Sequence, residues 1–240
     1  MIPRTTGRIV GGLFLSAFFL YGGGSLLILS SNGNDAALPE NAASLWQLCA
    51  GSALLLLNSA AVLTIGALAF RVLRREYRRT ASAYLTTRTV EAVLLALAPL
   101  GTLLLALSAS GSSGPARTLV ENADTAYWVA MTTLGVGSLF FCLALLKSGL
   151  LPPVLAAGGV AGYAIFALGG VLELSGVGVG LILSGPGALF EVSAGMYLLV
   201  KGFRAVVPAG TVSHRNTRST TTTSQTGTGA GRGARLSDAR

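Results

Sequence analysis

Two charged residues at helical spacing stand where a membrane-spanning helix should already have begun. Arg88 and Glu91 follow a basic segment and precede an apolar run that continues to Leu107. Residues three apart meet on one helical face, so these side chains can pair. Burying either alone in lipid costs about 2.5–3.5 kcal/mol on insertion scales, so both should face each other or a bundle interior. They predict either a polar binding site or gate, or an ion pair that orients the helix.

Three more polar residues lie within or at the end of apolar runs. Glu191 lies in the last run, some ten residues before Lys201; Glu173 ends the fifth run, and Asn58 lies inside the second. An intramembrane carboxylate is a functional candidate, although a carboxylate that hydrogen-bonds two helices together is equally consistent. We expect Glu91 near the cytoplasmic face and Glu191, like Glu173, nearer the opposite face. A direct pair between Glu91 and Glu191 is therefore not expected.

The composition that surrounds these residues is that of a membrane protein. Of 240 residues, 52% are hydrophobic and 11% are charged, whereas roughly a quarter are charged in soluble domains. Repeated apolar runs of about 20 residues match the roughly 30 Å hydrocarbon core. We predict an all-α, polytopic membrane protein with six transmembrane helices. The predicted spans are residues 9–29, 45–70, 88–107, 126–146, 154–172 and 186–207.

The start of the sixth span has two solutions. A start near Leu181 would put Gly185, Pro186 and Gly187 inside the helix. A start at Pro186 uses proline in the first turn, where it is favoured, and we prefer this start. Residues 1–207 would then form the transmembrane domain. The Ser/Thr/Gly/Arg-rich residues 208–240 are predicted to be a disordered cytoplasmic tail, because their composition cannot bury a core.

The distribution of basic residues predicts the orientation. With six spans, sixteen of the 17 basic residues share one side of the membrane with both termini, and the other side has only Arg117. Cytoplasmic loops carry such an excess of Lys and Arg. We therefore predict that both termini are cytoplasmic.

Five arginines between the second and third spans fall at one-face helical spacing. They are Arg71, Arg74, Arg75, Arg78 and Arg79. This spacing predicts that the second helix continues into the cytoplasm with a basic stripe. The stripe can act as a topology signal attracted to anionic lipid headgroups, or it can bind a protein partner. Because the arginines lie in short loops and a tail, no nucleic-acid binding is expected.

Signals for catalysis are missing. The single histidine, His214, lies in the predicted tail, so neither a histidine metal site nor a catalytic triad is expected in the bundle. The sequence has no phosphate-binding loop with its lysine and no paired aspartates within the spans. Nothing supports an enzyme, a metal or a cofactor, and no oligomeric state is indicated.

Four segments carry a resemblance to a known family. They are RIVGGLFL, YRRTASAYLTTRTVEA, LFFCLALLKSGLLPP and FEVSAGMYLLVKG, between Arg8 and Arg204. Together they resemble a family of bacterial six-span membrane proteins known as domain of unknown function 4386. The resemblance implies the six-span architecture and transfers no chemistry. The leading functional hypothesis is therefore a non-enzymatic accessory or partner-binding membrane protein. The second is a small-molecule or ion transporter that uses Glu91 and Glu191.

Overall fold

The computed structural model describes residues 4–31, 42–107 and 114–204. Within these ranges the chain forms seven helices and no strand. Their bounds are α1, Arg4–Ser31; α2, Ala42–Leu73; α3, Arg78–Leu107; α4, Gly114–Glu121; α5, Ala123–Ser148; α6, Pro153–Leu174; and α7, Gly180–Lys201. The predicted tail, residues 208–240, lies outside the described residues.

Six of these helices, all except α4, are long and apolar enough to span a membrane. An α-helix satisfies its backbone groups internally, which an apolar segment needs in lipid. Large apolar side chains are exposed on the outer surface; Val154, for example, is 85% exposed and Phe19 is 80% exposed. Lipid is the medium that tolerates such a surface. The prediction of six membrane-spanning helices is confirmed, and α4 is a short additional helix within the predicted loop between the third and fourth spans.

The six long helices form a ring in which each helix packs against its two neighbours. The order around the ring is α1, α2, α3, α5, α6, α7 and back to α1. Gly7 of α1 lies against Gly202 and Phe203 after α7, so α1 begins where α7 ends. We call this side of the bundle the basic end, because the arginine-rich turn between α2 and α3 also lies there. The opposite side is called the far end.

The arginine-rich segment is a turn between two helices. Helix α2 ends at Leu73, residues 74–77 form the turn, and α3 begins at Arg78. The backbone N–H of Tyr77 donates to the carbonyl of Leu73 at 2.9 Å. Helices α2 and α3 are packed neighbours in the ring, with Gly66 against Arg88, so the chain reverses at this turn. The predicted continuous helix with one basic stripe is wrong, although all five arginines are exposed at this end.

All six long helices begin before the predicted start of their spans, and the difference is largest for α3 and α7. Helix α3 begins ten residues before Arg88, and α7 begins at Gly180, so the prediction of a start at Pro186 is wrong. The carboxylate of Glu173 explains the start of α7, since it accepts the backbone N–H of Gly180 at 2.6 Å. A carboxylate at a helix N-terminus satisfies a free donor and interacts favourably with the helix dipole.

A glycine contact closes the ring between α1 and α7, and it can be tested by substitution. A Cβ atom on Gly11 would lie 2.5 Å from the carbonyl oxygen of Gly195 and from the backbone N of Leu199. On neighbouring Gly12 it would meet only the end of the Leu199 side chain, at 3.8 Å. We expect Gly11→Ala to lower the free energy of unfolding by about 1–2 kcal/mol, because backbone must move apart.

The matched substitution Gly12→Ala should be neutral or stabilising by up to about 1 kcal/mol, since alanine favours the helix. Reversible unfolding of the purified protein in mixed detergent and denaturant measures both changes. Equal effects of the two substitutions would contradict close packing of α1 on α7.

Candidate functional site

The side chain of Arg88 is the centre of a buried charged cluster. Its exposed fraction is 3%, and that of Glu91 is 2%. The Arg88 Nη1 atom donates to both carboxylate oxygens of Glu91, at 3.1 and 3.3 Å. The Nε atom donates to the Tyr84 hydroxyl oxygen at 2.8 Å. The predicted pairing of Arg88 and Glu91 on one helical face is therefore present, three turns into α3.

Glu191 of α7 belongs to the same cluster. Its Oε1 atom lies 3.5 Å from Nη2 of Arg88 and accepts a hydrogen bond from the Tyr163 hydroxyl at 2.5 Å. The prediction that Glu91 and Glu191 lie near opposite faces of the membrane is wrong. Both helices begin earlier than predicted, so Arg88 and Glu191 each lie deeper and meet near the middle of the bundle. One arginine joins the two carboxylates.

Aromatic rings complete the surroundings of the guanidinium group. The Arg88 Cζ atom lies 5.1 Å from the centre of the Tyr84 ring and 5.8 Å from that of Phe14. Such distances allow cation–π attraction, which strengthens away from water. Tyr84 stacks on Phe141 of α5 with ring centres 4.2 Å apart. Helices α1, α3 and α5 therefore hold the arginine from several sides.

A cavity of about 340 Å³ extends from this cluster toward the far end. All six long helices contribute to its wall. On α7, four residues spaced along one helical face line it: Leu181, Ser184, Ala188 and Glu191. The other walls are mainly apolar and aromatic. At a rise of 1.5 Å per residue, the α7 wall is about 15 Å long.

Buried polar atoms without hydrogen-bond partners line the cavity. The Oδ1 atom of Asn58 has no partner, although the residue is only 4% exposed. The Nη2 atom of Arg88 also has none, because its 3.5 Å approach to Glu191 is an ion-pair distance without a hydrogen bond. Buried polar groups are normally satisfied, so these two atoms are available to hydrogen-bond a water or a ligand in the cavity.

The structure brings four of the predicted site residues together and leaves the others apart. Arg88, Glu91, Glu191 and Asn58 line one cavity. Glu173 does not join them, because its carboxylate caps α7. The arginines between α2 and α3 lie on the surface of the basic end. Among the described residues, no group of three histidine, cysteine, aspartate or glutamate side chains could hold a metal ion.

Sequence reasoning missed the tyrosines that hydrogen-bond the charges. Tyr84 precedes Arg88 by four residues, one helical turn, and Tyr163 lies near the middle of α6. Tyrosine in membrane proteins is enriched at the interfaces. A tyrosine in the middle of an apolar run was therefore the signal that could have identified Tyr163 as a partner of a buried carboxylate.

The burial of the cluster predicts a large cost for removing its cation. Arg88→Met leaves Glu91 without its partner, and we expect the free energy of unfolding to fall by about 3–5 kcal/mol. The double substitution Arg88→Met with Glu91→Met should recover part of that loss, because Glu91 no longer carries an unpaired charge, while Glu191 is 16% exposed and still accepts the Tyr163 hydrogen bond. Equilibrium unfolding in detergent measures the free energy of unfolding of the wild type, the single variant and the double variant.

The matched control is the exposed pair of Arg117 and Glu121 on α4. Their side chains are 74% and 58% exposed and lie 2.8 Å apart. Arg117→Met should cost less than about 1 kcal/mol, because water screens that pair. If Arg88→Met costs no more than Arg117→Met, the buried pair does not stabilise the bundle.

Comparison with known proteins identifies the family. The family model described as "Domain of unknown function (DUF4386)" matches residues 9–202. No curated protein and no solved structure matches the chain. The match covers α1 to α7 and includes every residue of the cavity, so the charged cluster lies within the family domain. With six membrane-spanning helices and a match over most of its length, this chain belongs to the DUF4386 family of membrane proteins.

Proposed function

We propose that this protein binds a small molecule within the membrane and transports it. The cavity is the binding site, and Arg88, Glu91 and Glu191 form its polar end. The observation that carries this proposal is the convergence of two carboxylates and one guanidinium group, from helices that are not neighbours in the ring, on one cavity lined by all six spans.

The size and chemistry of the cavity support a small organic ligand. Ligand pockets typically measure about 300–1,000 Å³ and combine apolar walls with a few polar groups. This cavity measures about 340 Å³ and has that composition. Asn58 at one wall and Arg88 at the polar end each keep a polar atom without a hydrogen-bond partner. A ligand that donates to Asn58, together with a water that accepts from Arg88, would satisfy groups that are otherwise costly to bury.

The packing on the two sides of the cluster supports a transport cycle. Toward the basic end the interior is filled by buried side chains, among them Val10, Leu145 and Leu198. Toward the far end the interior contains the cavity. A bundle that is filled on one side of a central site and holds a cavity on the other is compatible with one state of alternating access.

The geometry changes the order of the two functional hypotheses. The sequence placed a non-enzymatic accessory role first, because the family resemblance transfers no chemistry and no direct pair between Glu91 and Glu191 was expected. Their convergence on a cavity favours the small-molecule transporter. A partner-binding role of the arginine-rich turn remains the second hypothesis, and loss of a co-purifying protein when those arginines are replaced would support it.

The proposal includes an orientation and a location. The basic end faces the cytoplasm, with both termini inside, in the cytoplasmic membrane of a bacterium. Five exposed arginines at the α2–α3 turn support this orientation, since short cytoplasmic loops are rich in Lys and Arg. At that surface they attract anionic headgroups, with about 1 kcal/mol for each basic residue.

The orientation predicts which side of the membrane each end reaches. A cysteine at exposed Arg75 should react with a membrane-impermeant maleimide in inverted vesicles and not in intact cells. A cysteine at exposed Glu121 should show the opposite pattern. The native Cys49 and Cys142 are replaced by alanine in both variants. The reverse pattern would overturn the proposed orientation.

The binding function is tested with a library of small acidic, basic and neutral solutes. A ligand at 100 times its dissociation constant should stabilise the protein by about 2.7 kcal/mol. Ala188→Phe, which fills the cavity, should abolish this stabilisation. Ala161→Phe on the exposed side of α6 is the matched control and should not. If no solute stabilises the protein, or if Ala188→Phe has no effect on the response, the cavity is not a binding site.

The transport function is tested with the same stabilising solute in proteoliposomes. Glu191→Gln should abolish its flux and leave expression and detergent stability unchanged. Glutamine can still accept the Tyr163 hydrogen bond, and the substitution takes the formal charge of the cluster from −1 to zero. Glu121→Gln, an exposed carboxylate on α4, is the control. Lower stability of Glu191→Gln, with no flux even in the wild type, would assign Glu191 to helix packing.

A further inference from the structure

At the joint between α1 and α7, residues that line the cavity are also exposed on the outer surface of the bundle. Phe18 of α1 is 38% exposed and Leu181 of α7 is 77% exposed. A residue that lines a cavity and is exposed at the surface lies at the mouth. Because α1 and α7 both span the membrane, a mouth between them opens toward the acyl chains of the bilayer.

The packing of α1 explains why the mouth lies in the far half of the bundle. At the basic end, Gly7 and Gly11 bring α1 against α7 and its C-terminal residues. At the far end, α1 packs on α2, where Gly24 approaches the carbonyl oxygen of Gly51. Between these contacts, Gly22 lines the cavity, and a Cβ atom on it would meet nothing within 4 Å. The two helices therefore meet over half their length and separate over the rest.

The charge of the cluster selects the ligand. One guanidinium group and two carboxylates carry a formal charge of −1. Glu191 is the most accessible of the three, with 16% of its side chain exposed, against 3% for Arg88 and 2% for Glu91. A ligand that arrives through the cavity therefore meets a carboxylate first. Aromatic side chains in the wall, including Phe14, Tyr21 and Phe166, favour a cation further.

We propose that the ligand is a membrane-dissolved amphiphile with a single positive head group, and that it enters sideways between α1 and α7. Its ammonium group pairs with Glu191, and its apolar body lies along the wall formed by Phe18 and Leu181. The α7 wall along which that body lies is about 15 Å long, from Leu181 to Glu191. This inference rests on the proposed function and adds to it the class of ligand and the route of entry.

Three rod-shaped fluorescent probes that differ in charge, called rods below, test the ligand class. Diphenylhexatriene is neutral, its trimethylammonium derivative is cationic and its propionic acid derivative is anionic. Trp128 is the donor for energy transfer, because it packs beside Gly180 at the start of α7. Trp46→Phe removes the other tryptophan. The full chain is placed in nanodiscs of phosphatidylcholine, and each probe is titrated.

Saturable transfer is expected with the cationic rod, above the linear signal from partition into lipid. Glu191→Gln should weaken that binding about tenfold or more, as expected for loss of a charge-assisted contact. The neutral and anionic rods should give only the linear signal. Equal saturable binding of the anionic rod would overturn the ligand class and leave the proposed binding function intact.

Variants at the mouth test the route. Gly22→Phe narrows the mouth and should slow association of the cationic rod in stopped-flow measurements, whereas Gly158→Phe on the exposed face of α6 should not. Phe18→Ala should speed association. Its control is Phe19→Ala, because Phe19 is 80% exposed and does not line the cavity.

Each remaining outcome decides the inference. Association rates that do not change in Gly22→Phe and Phe18→Ala would overturn entry from the bilayer, even if the cation still binds at Glu191. Because Phe18→Ala removes atoms, it remains informative if Gly22→Phe fails to fold. If no rod binds saturably while another solute still stabilises the wild type and not Ala188→Phe, the inference fails and the proposed function stands.

Discussion

The structure depends on the electrostatic compensation of one guanidinium group in a medium without water. Arg88 receives that compensation from its own helix, through Tyr84 and Glu91, and from α7, through Glu191. Helices α3 and α7 are not neighbours, since two helices separate them in either direction around the ring. The ion pair between Arg88 and Glu191 therefore crosses the interior and limits how far opposite walls can separate. A buried charge without such partners would cost several kcal/mol.

Residue size along α1 and α7 explains why the interior is filled at the basic end and contains a cavity beyond the cluster. Near the basic end, glycines allow backbones to touch, and large apolar side chains fill the interior. Beyond the cluster, the close contacts of α1 are with α2. Aromatic side chains span the interior of the bundle at that depth. Tyr21 and Tyr127, from helices on different sides of the ring, stack there with ring centres 5.6 Å apart. The cavity thus lies between an ion pair and an aromatic pair that each cross the interior of the ring.

Much of this arrangement follows from the sequence, but its centre does not. Hydropathy locates all six spans, and residue type alone identifies Arg88, Glu91, Glu191 and Asn58 as polar groups in apolar surroundings. Whether these side chains meet depends on the depth of each one in the bundle. That depth depends on where its helix begins. The start of α7 is set by Glu173, a contact seven residues away in sequence that places Pro186 inside the helix. The start of α3 is hidden because the turn at residues 74–77 contains neither glycine nor proline, and its arginines keep helical spacing.

The order of helices around the ring also has a consequence for folding. Five of its six joints connect membrane-spanning helices that follow one another in the chain, so each can form as a hairpin soon after its second helix is inserted. The joint between α7 and α1 connects the first helix to the last and must wait until the whole domain has been made. Contacts between distant parts of a chain form late, because the intervening loop must first be closed. The side of the bundle through which we propose that the ligand enters is therefore also the one joint of the ring that connects the first span to the last, and the last part of the ring to be assembled.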